Sequence, residues 1–332
     1  MDGPATRVSA HTILDAPNVA PPPHSARDVR VGVVYGIITY LAWGLVPLYF
    51  KLIAHVPSLY VLAHRVVWSV VFLAIVLAVQ RRFGELRAAV RSRRLVLTLL
   101  ASSALVAGNW LSFIYAISSG HVLQASLGYF ILPLVAVLLG MTFLRERLRP
   151  WQAAALALAT VGVFVLAVAQ GAVPWVSLTM AITFAFYGLL RKIAPVSPLI
   201  GLAIETTLLL PFALLVVAWQ VRTDAATLWV GWTFPLLMAA GVVTAVPLLW
   251  FATAARRLRL ATMGFLQYIA PSCQFALAVF LYDEPFTTAH AVSFACIWTA
   301  LVLYSVDAFR ALRDMSTASR DAASVTPAAL PE

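Results

Sequence analysis

Charge is what this chain has least of. Only 11% of its 332 residues are Asp, Glu, Lys or Arg, where soluble domains carry about a quarter. So few charges cannot clothe a water-facing surface when 62% of the residues are hydrophobic, which excludes an ordinary soluble domain. Cysteine is scarcer still. Two cysteines make neither a disulfide framework nor a four-ligand zinc site. The sequence has no G-x-x-x-x-G-K-[ST] phosphate loop, no H-E-x-x-H helix and no Cys/His cluster. An ATPase of its own, a metal centre and a bound cofactor are therefore not expected.

What the chain does have is apolar length. Mean hydropathy is +0.91. A bilayer core of about 30 Å is crossed by about 20 apolar helical residues. Ten such runs can be read, at 31–53, 58–79, 95–117, 122–144, 151–170, 174–190, 198–219, 233–254, 260–282 and 287–306. The expected class is an all-α integral membrane protein with ten transmembrane helices. Residues 1–30, with Pro21, Pro22 and Pro23 in a row, hold no apolar run and read as a disordered tail rather than a signal peptide. The Ala- and Ser-rich segment 308–332 reads the same way.

The basic residues sort by side. Of 23, twenty fall in the two tails and in the loops after runs two, four, six and eight. Only Lys51 and Arg222 belong to the opposite side, and Arg65 lies within a run. The positive-inside rule then places both termini in the cytoplasm, as an even number of spans requires. The net charge of +10 is explained by orientation and by contact with anionic membrane lipids, not by nucleic acid.

The halves resemble each other. At an offset of 138, Pro133 falls on Pro271, Phe130 on Tyr268, Phe113 on Phe251 and Glu146 on Glu284. Five spans per half is an odd number, so the second half enters from the other side. That makes two inverted five-helix repeats, an arrangement used to expose one central site alternately to either face.

Several segments carry a family likeness. QASLGYFILPL (124–134), LAHRVVWS (62–69), FAFYGLLRK (184–192), IETTLLLP (204–211) and RLRLATMGFLQYIAP (257–271) resemble RarD-type proteins, members of the EamA group in the drug/metabolite transporter superfamily. The resemblance implies an inner-membrane permease with EamA-like repeats at 31–170 and 171–307, exporting small metabolites or drug-like solutes. It leaves a homodimer open. The chain departs from the family pattern in one half: Gln124 stands where Glu is usual, and Leu132 and Ala136 where Asn is usual.

Candidate residues follow from cost. A charge inside a span costs about 2.5–3.5 kcal/mol on insertion scales. Arg65 and Glu205 are the two that sit well inside. They are expected to face a central cavity from equivalent places in the two halves, with Tyr129, Gln267 and Tyr268 between them. Glu205 is the expected proton-coupling group, and His64 beside Arg65 can titrate near neutral pH. Pro133 and Pro271 break helix hydrogen bonding and free the carbonyls of Tyr129 and Gln267 for a ligand or neighbour. Asn109, Trp43 and Tyr187, with Gln124, complete the lining set. Two rivals to a transporter of small solutes stay open: an intramembrane enzyme using Arg65, Glu205 and His64, and a non-transporting scaffold.

Overall fold

The computed structural model describes residues 26–118, 122–169, 175–281 and 287–324. Among them the chain is all-helical: α1 (Ala26–Lys51), α2 (Ser58–Val79), α3 (Phe83–Arg91), α4 (Arg93–Ser118), α5 (Val122–Phe143), α6 (Pro150–Ala169), α7 (Trp175–Ile193), α8 (Pro198–Thr223), α9 (Thr233–Ala255), α10 (Leu260–Gln267), α11 (Ile269–Leu281) and α12 (Thr288–Ser324), with one 3-10 turn at Ala225–Trp229. Eight helices (α1, α2, α4, α6, α7, α8, α9 and α12) are long and apolar enough to cross a membrane, and α5 contains a shorter apolar stretch. Phe164, Phe212, Leu215 and Trp219 point outward from these helices, exposed in a way that only a hydrocarbon surrounding satisfies.

Four features differ from expectation. The run 260–282 is broken at Tyr268 into α10 and α11. Pro271 explains the break: it has no N–H to return to Gln267, and it falls in the first turn of α11, where no such bond is needed. Pro133, by contrast, lies inside an uninterrupted α5. The basic loop after run two holds the amphipathic α3. Its Leu86 and Ala89 pack on the main core while Arg87 and Arg91 stay exposed, and its nine residues are too few to span a bilayer. Helix α1 begins at Ala26, with Asp28 favourably placed in its first turn. Helix α12 continues to Ser324 through residues expected to be disordered, carried by good helix formers such as Ala and Arg.

Packing pairs α5 with α7, α6 with α12, α2 with α8 and α9, α4 with α7 and α8, and α1 with α9, α10 and α11. Lipid tails are as apolar as leucine, so close van der Waals contact between helices, not escape from water, selects these pairs. Small residues permit it. Ala155, Ala159 and Gly162 lie one turn apart on α6, and a Cβ on Gly162 would stand 2.8 Å from the Ser293 carbonyl of α12. At Gly241 a Cβ would collide with the backbone of Trp68, so α9 and α2 touch main chain to main chain. Near the centre, a Cβ on Gly264 of α10 would lie 2.7 Å from the carbonyl of Pro133 in α5.

Candidate functional site

A cavity of about 560 Å³ penetrates the bundle between α1, α2, α4, α5, α7, α9, α10 and α11. Its rim carries the exposed Lys51, Ala54 and Ser58 around the α1–α2 connection. Its floor is aromatic. Trp43 meets Tyr40 and Phe184 edge to face, with centroids 5.6 Å apart in each case. Behind them Tyr187 stacks on Phe251 at 5.9 Å.

One charge stands in the wall. Arg65 of α2 donates from Nε to Thr244 Oγ1 of α9 at 2.9 Å, and its guanidinium carbon lies 5.2 Å from the ring centres of both Phe50 and Trp110. The two aromatic faces supply cation–π attraction in place of a counter-ion. Thr244 is held in turn by the carbonyl of Ala240 at 2.7 Å. Asn109 lines the cavity but spends its amide on the Met180 carbonyl (2.8 Å) and Thr183 Oγ1 (3.2 Å), tying α4 to α7. Gln274 likewise donates to the Trp43 carbonyl at 3.2 Å. Tyr129 and Gln267 also border the cavity.

The expectation that Glu205 shares the central cavity with Arg65 is not met. Glu205 is off the cavity wall. Its Oε1 accepts from Ser102 Oγ at 2.5 Å and faces Arg191 Nη1 at 3.5 Å, with both charged side chains only 2% exposed. The reason is chain geometry: Arg191 ends α7, Glu205 lies in the next helix, and the connection 194–197 turns one onto the other. Arg191 also donates to the Pro198 carbonyl at 3.1 Å, and Gly201 leaves the space its guanidinium fills.

Other expected residues divide. Arg65, Tyr129, Gln267, Asn109, Trp43 and Pro271 converge on the cavity. Tyr268 does not, being buried beside Phe265 in the cluster formed by α5, α6, α10 and α12. His64 pairs with Gln220 Oε1 at 3.0 Å between α2 and α8. Tyr187 backs the aromatic floor. Pro133 lies where α5 crosses α10. The Gln124 side chain and Glu284 lie outside the described residues. Arg65, Glu205 and His64 thus have three separate sets of partners. Thr244, Phe50 and Gln274 join the cavity without having been singled out, because a lone Thr, Phe or Gln in an apolar run carries no signal of its own.

The end opposite the rim is latched. Lys192 donates to the carbonyls of Ala255 (3.2 Å) and Leu258, and Arg256 donates to that of Val196. Glu146, at the corner after α5, accepts from the first amides of α10, Leu260 N at 2.7 Å and Ala261 N at 3.0 Å. That satisfies two orphan donors at a helix N-terminus with a negative charge.

Apolar helices around an aromatic, largely apolar cavity define a multi-pass membrane protein with a central chamber. The description "EamA-like transporter family" matches residues 30–168. An uncharacterised transporter of Vibrio cholerae is 47% identical over 287 residues, covering 86% of this chain and 95% of that protein. Protein RarD of Escherichia coli is 43% identical over 295 residues, covering 88% and 99%. The chloramphenicol-sensitive protein RarD of Pseudomonas aeruginosa is 35% identical over 291 residues, covering 85% and 96%. One crystal structure shares the fold at a TM-score of 0.63 and 18% identity, covering 83% of this chain and 97% of its own. The chain belongs to the RarD-type branch of the EamA group in the drug/metabolite transporter superfamily.

Proposed function

We propose that this protein is a secondary-active exporter that carries a small metabolite or drug-like solute through the Arg65 cavity by alternating access. The observation that carries the reading is a cavity open at one end and latched at the other. Two inverted five-helix halves, with α5 and the α10–α11 pair as the remaining two spans, are the framework that would invert it. Spacing supports that framework: α5 and α10 start 138 positions apart at Val122 and Leu260, and so do α6 and α12 at Pro150 and Thr288. Packing supports it too, since α9 lies on α1 as α4 lies on α7.

The basic loops make the latched end cytoplasmic and the rim external, in the inner membrane, with both termini inside. Glu205 is the coupling candidate in this scheme. A proton on its carboxylate would remove the charge that holds Arg191, and the latched end would loosen. Single cysteines at Ala54 and Ala255, in protein lacking Cys273 and Cys296, test the cycle. Position 54 should react from outside at rest, and position 255 from the cytoplasm only while solute is being carried. Simultaneous reaction at both ends, or solute flux with position 255 always closed, defeats the scheme. A metabolite survey of medium from deletion and overexpression strains identifies the cargo.

A further inference from the structure

We propose that the cavity selects an organic anion with a flat apolar body, gripped at its anionic end by Arg65. The inference rests on the transport reading and names the substrate class for the same site. Among the described residues no Asp or Glu lines the cavity, and none of the ion pairs involves Arg65. Its single hydrogen bond to a described residue uses Nε, on Thr244. Phe50 and Trp110 lie against the guanidinium. The terminal Nη edge therefore remains, and that edge is what a carboxylate or phosphate meets with two parallel hydrogen bonds. Aromatic rings on the guanidinium keep water off its faces, so the attraction acts at low dielectric.

Around this one charge the wall is largely apolar. Trp43, Phe113 and Phe184 offer ring surface, and Tyr129 and Gln267 are the neutral polar residues beside them in the lining. Lys51 at the rim adds a second positive charge on the way in. A cationic solute would meet like charge at Arg65 with no acid among the described lining residues to answer it. An organic anion meets the charge it needs, and its ring finds rings.

Three matched probes test the class: 2-naphthoate, 2-naphthamide and 2-naphthylmethylammonium, titrated calorimetrically into the purified full-length protein at neutral pH. The naphthoate should bind at least about tenfold more tightly than the amide, the gain expected of a charge-assisted hydrogen bond, and the ammonium most weakly. Arg65→Gln should erase the preference of carboxylate over amide, and Arg65→Lys should keep part of it. The ranking on unaltered protein stands even if Arg65→Gln does not fold. Amide bound as well as carboxylate, ammonium preferred, or no probe bound by folded protein overturns the proposal. Counterflow of the same probes in proteoliposomes separates the two readings. Anion binding without counterflow defeats transport and leaves the selectivity standing, whereas flux that favours the amide or the ammonium defeats the selectivity and leaves transport.

Discussion

Arg191 and Glu205 face each other at 3.5 Å with almost no exposure, and their pairing is incomplete: Arg191 Nε and Glu205 Oε2 have no hydrogen-bond partner. A buried pair of this kind contributes little net stability while intact, yet removing one member leaves an uncompensated charge. The pair sits behind the aromatic floor, on the latched side of the cavity.

The first prediction separates its two roles. Arg191→Met alone and Glu205→Leu alone should each lower stability by about 3–5 kcal/mol, while the double variant recovers most of the loss. Thermal unfolding in detergent measures this. If the pair also restrains the latched end, the double variant should fold yet let a cysteine at position 255 react without solute. Full protection of that cysteine would make the pair purely structural.

Gly201 gives a second prediction. A Cβ there would fall on the Arg191 guanidinium. Gly201→Ala should therefore destabilise by about 1–3 kcal/mol, the range for overpacking. The loss should shrink in an Arg191→Met background, because the two sites share one space. Equal losses in both backgrounds would show that the space is not what matters.

A third concerns two glycines with opposite surroundings. Gly264→Ala brings a Cβ to 2.7 Å from the Pro133 carbonyl, which is backbone and cannot swing away, so a loss of about 1–3 kcal/mol is expected. Gly108 lies within α4 and has nothing within 4 Å. Gly108→Ala should be neutral or stabilising, by up to about 1 kcal/mol, through helix propensity alone. Denaturation midpoints of the two variants, measured side by side, decide the matter.

The fourth uses pH outside the membrane. Hydrogen bonds from Arg82 hold the Glu85 carboxyl below the usual carboxylate range. A carboxyl lowered on folding stabilises above its unfolded value, and the contribution is lost as pH falls through the folded one. Protection factors of the α3 amides, taken against the intrinsic exchange rate at each pH, should therefore fall on going from neutral pH to about pH 3, where carboxylates protonate. Glu85→Gln should flatten that dependence. Because Arg82 also reaches Ser197 Oγ at 3.2 Å, the N-cap of α8 should feel the same change.

Part of the wall could be read from residue types. Arg65 in an apolar run demanded a cavity or a partner, and Trp43, Asn109, Tyr129 and Gln267 proved to surround the same space. The fate of Glu205 could not be read, because its partner Arg191 stands at a helix end and looks like one more orienting charge. Only the turn at 194–197 reveals that it folds inward. Periodicity also misses α3, whose amphipathic pattern is short and lies among arginines. The break at Tyr268 was half legible: a proline announces lost hydrogen bonding, but the sequence does not say whether the helix runs on through it, as at Pro133, or parts, as at Pro271.

The grip of Glu146 on α10 has a mechanical result. Helix α10 is eight residues long, hooked at its start by the α5–α6 corner and severed from α11 at its end. Gln267, its last residue, borders the cavity. Carboxylate and helix are thus geared, and α10 cannot tilt without dragging that corner or slipping off it. Gln267 at the cavity and the Arg259 contact with the Arg147 carbonyl thus stand at the two ends of α10. The cavity in the middle of the bundle and the corner at its edge are joined by eight residues of helix.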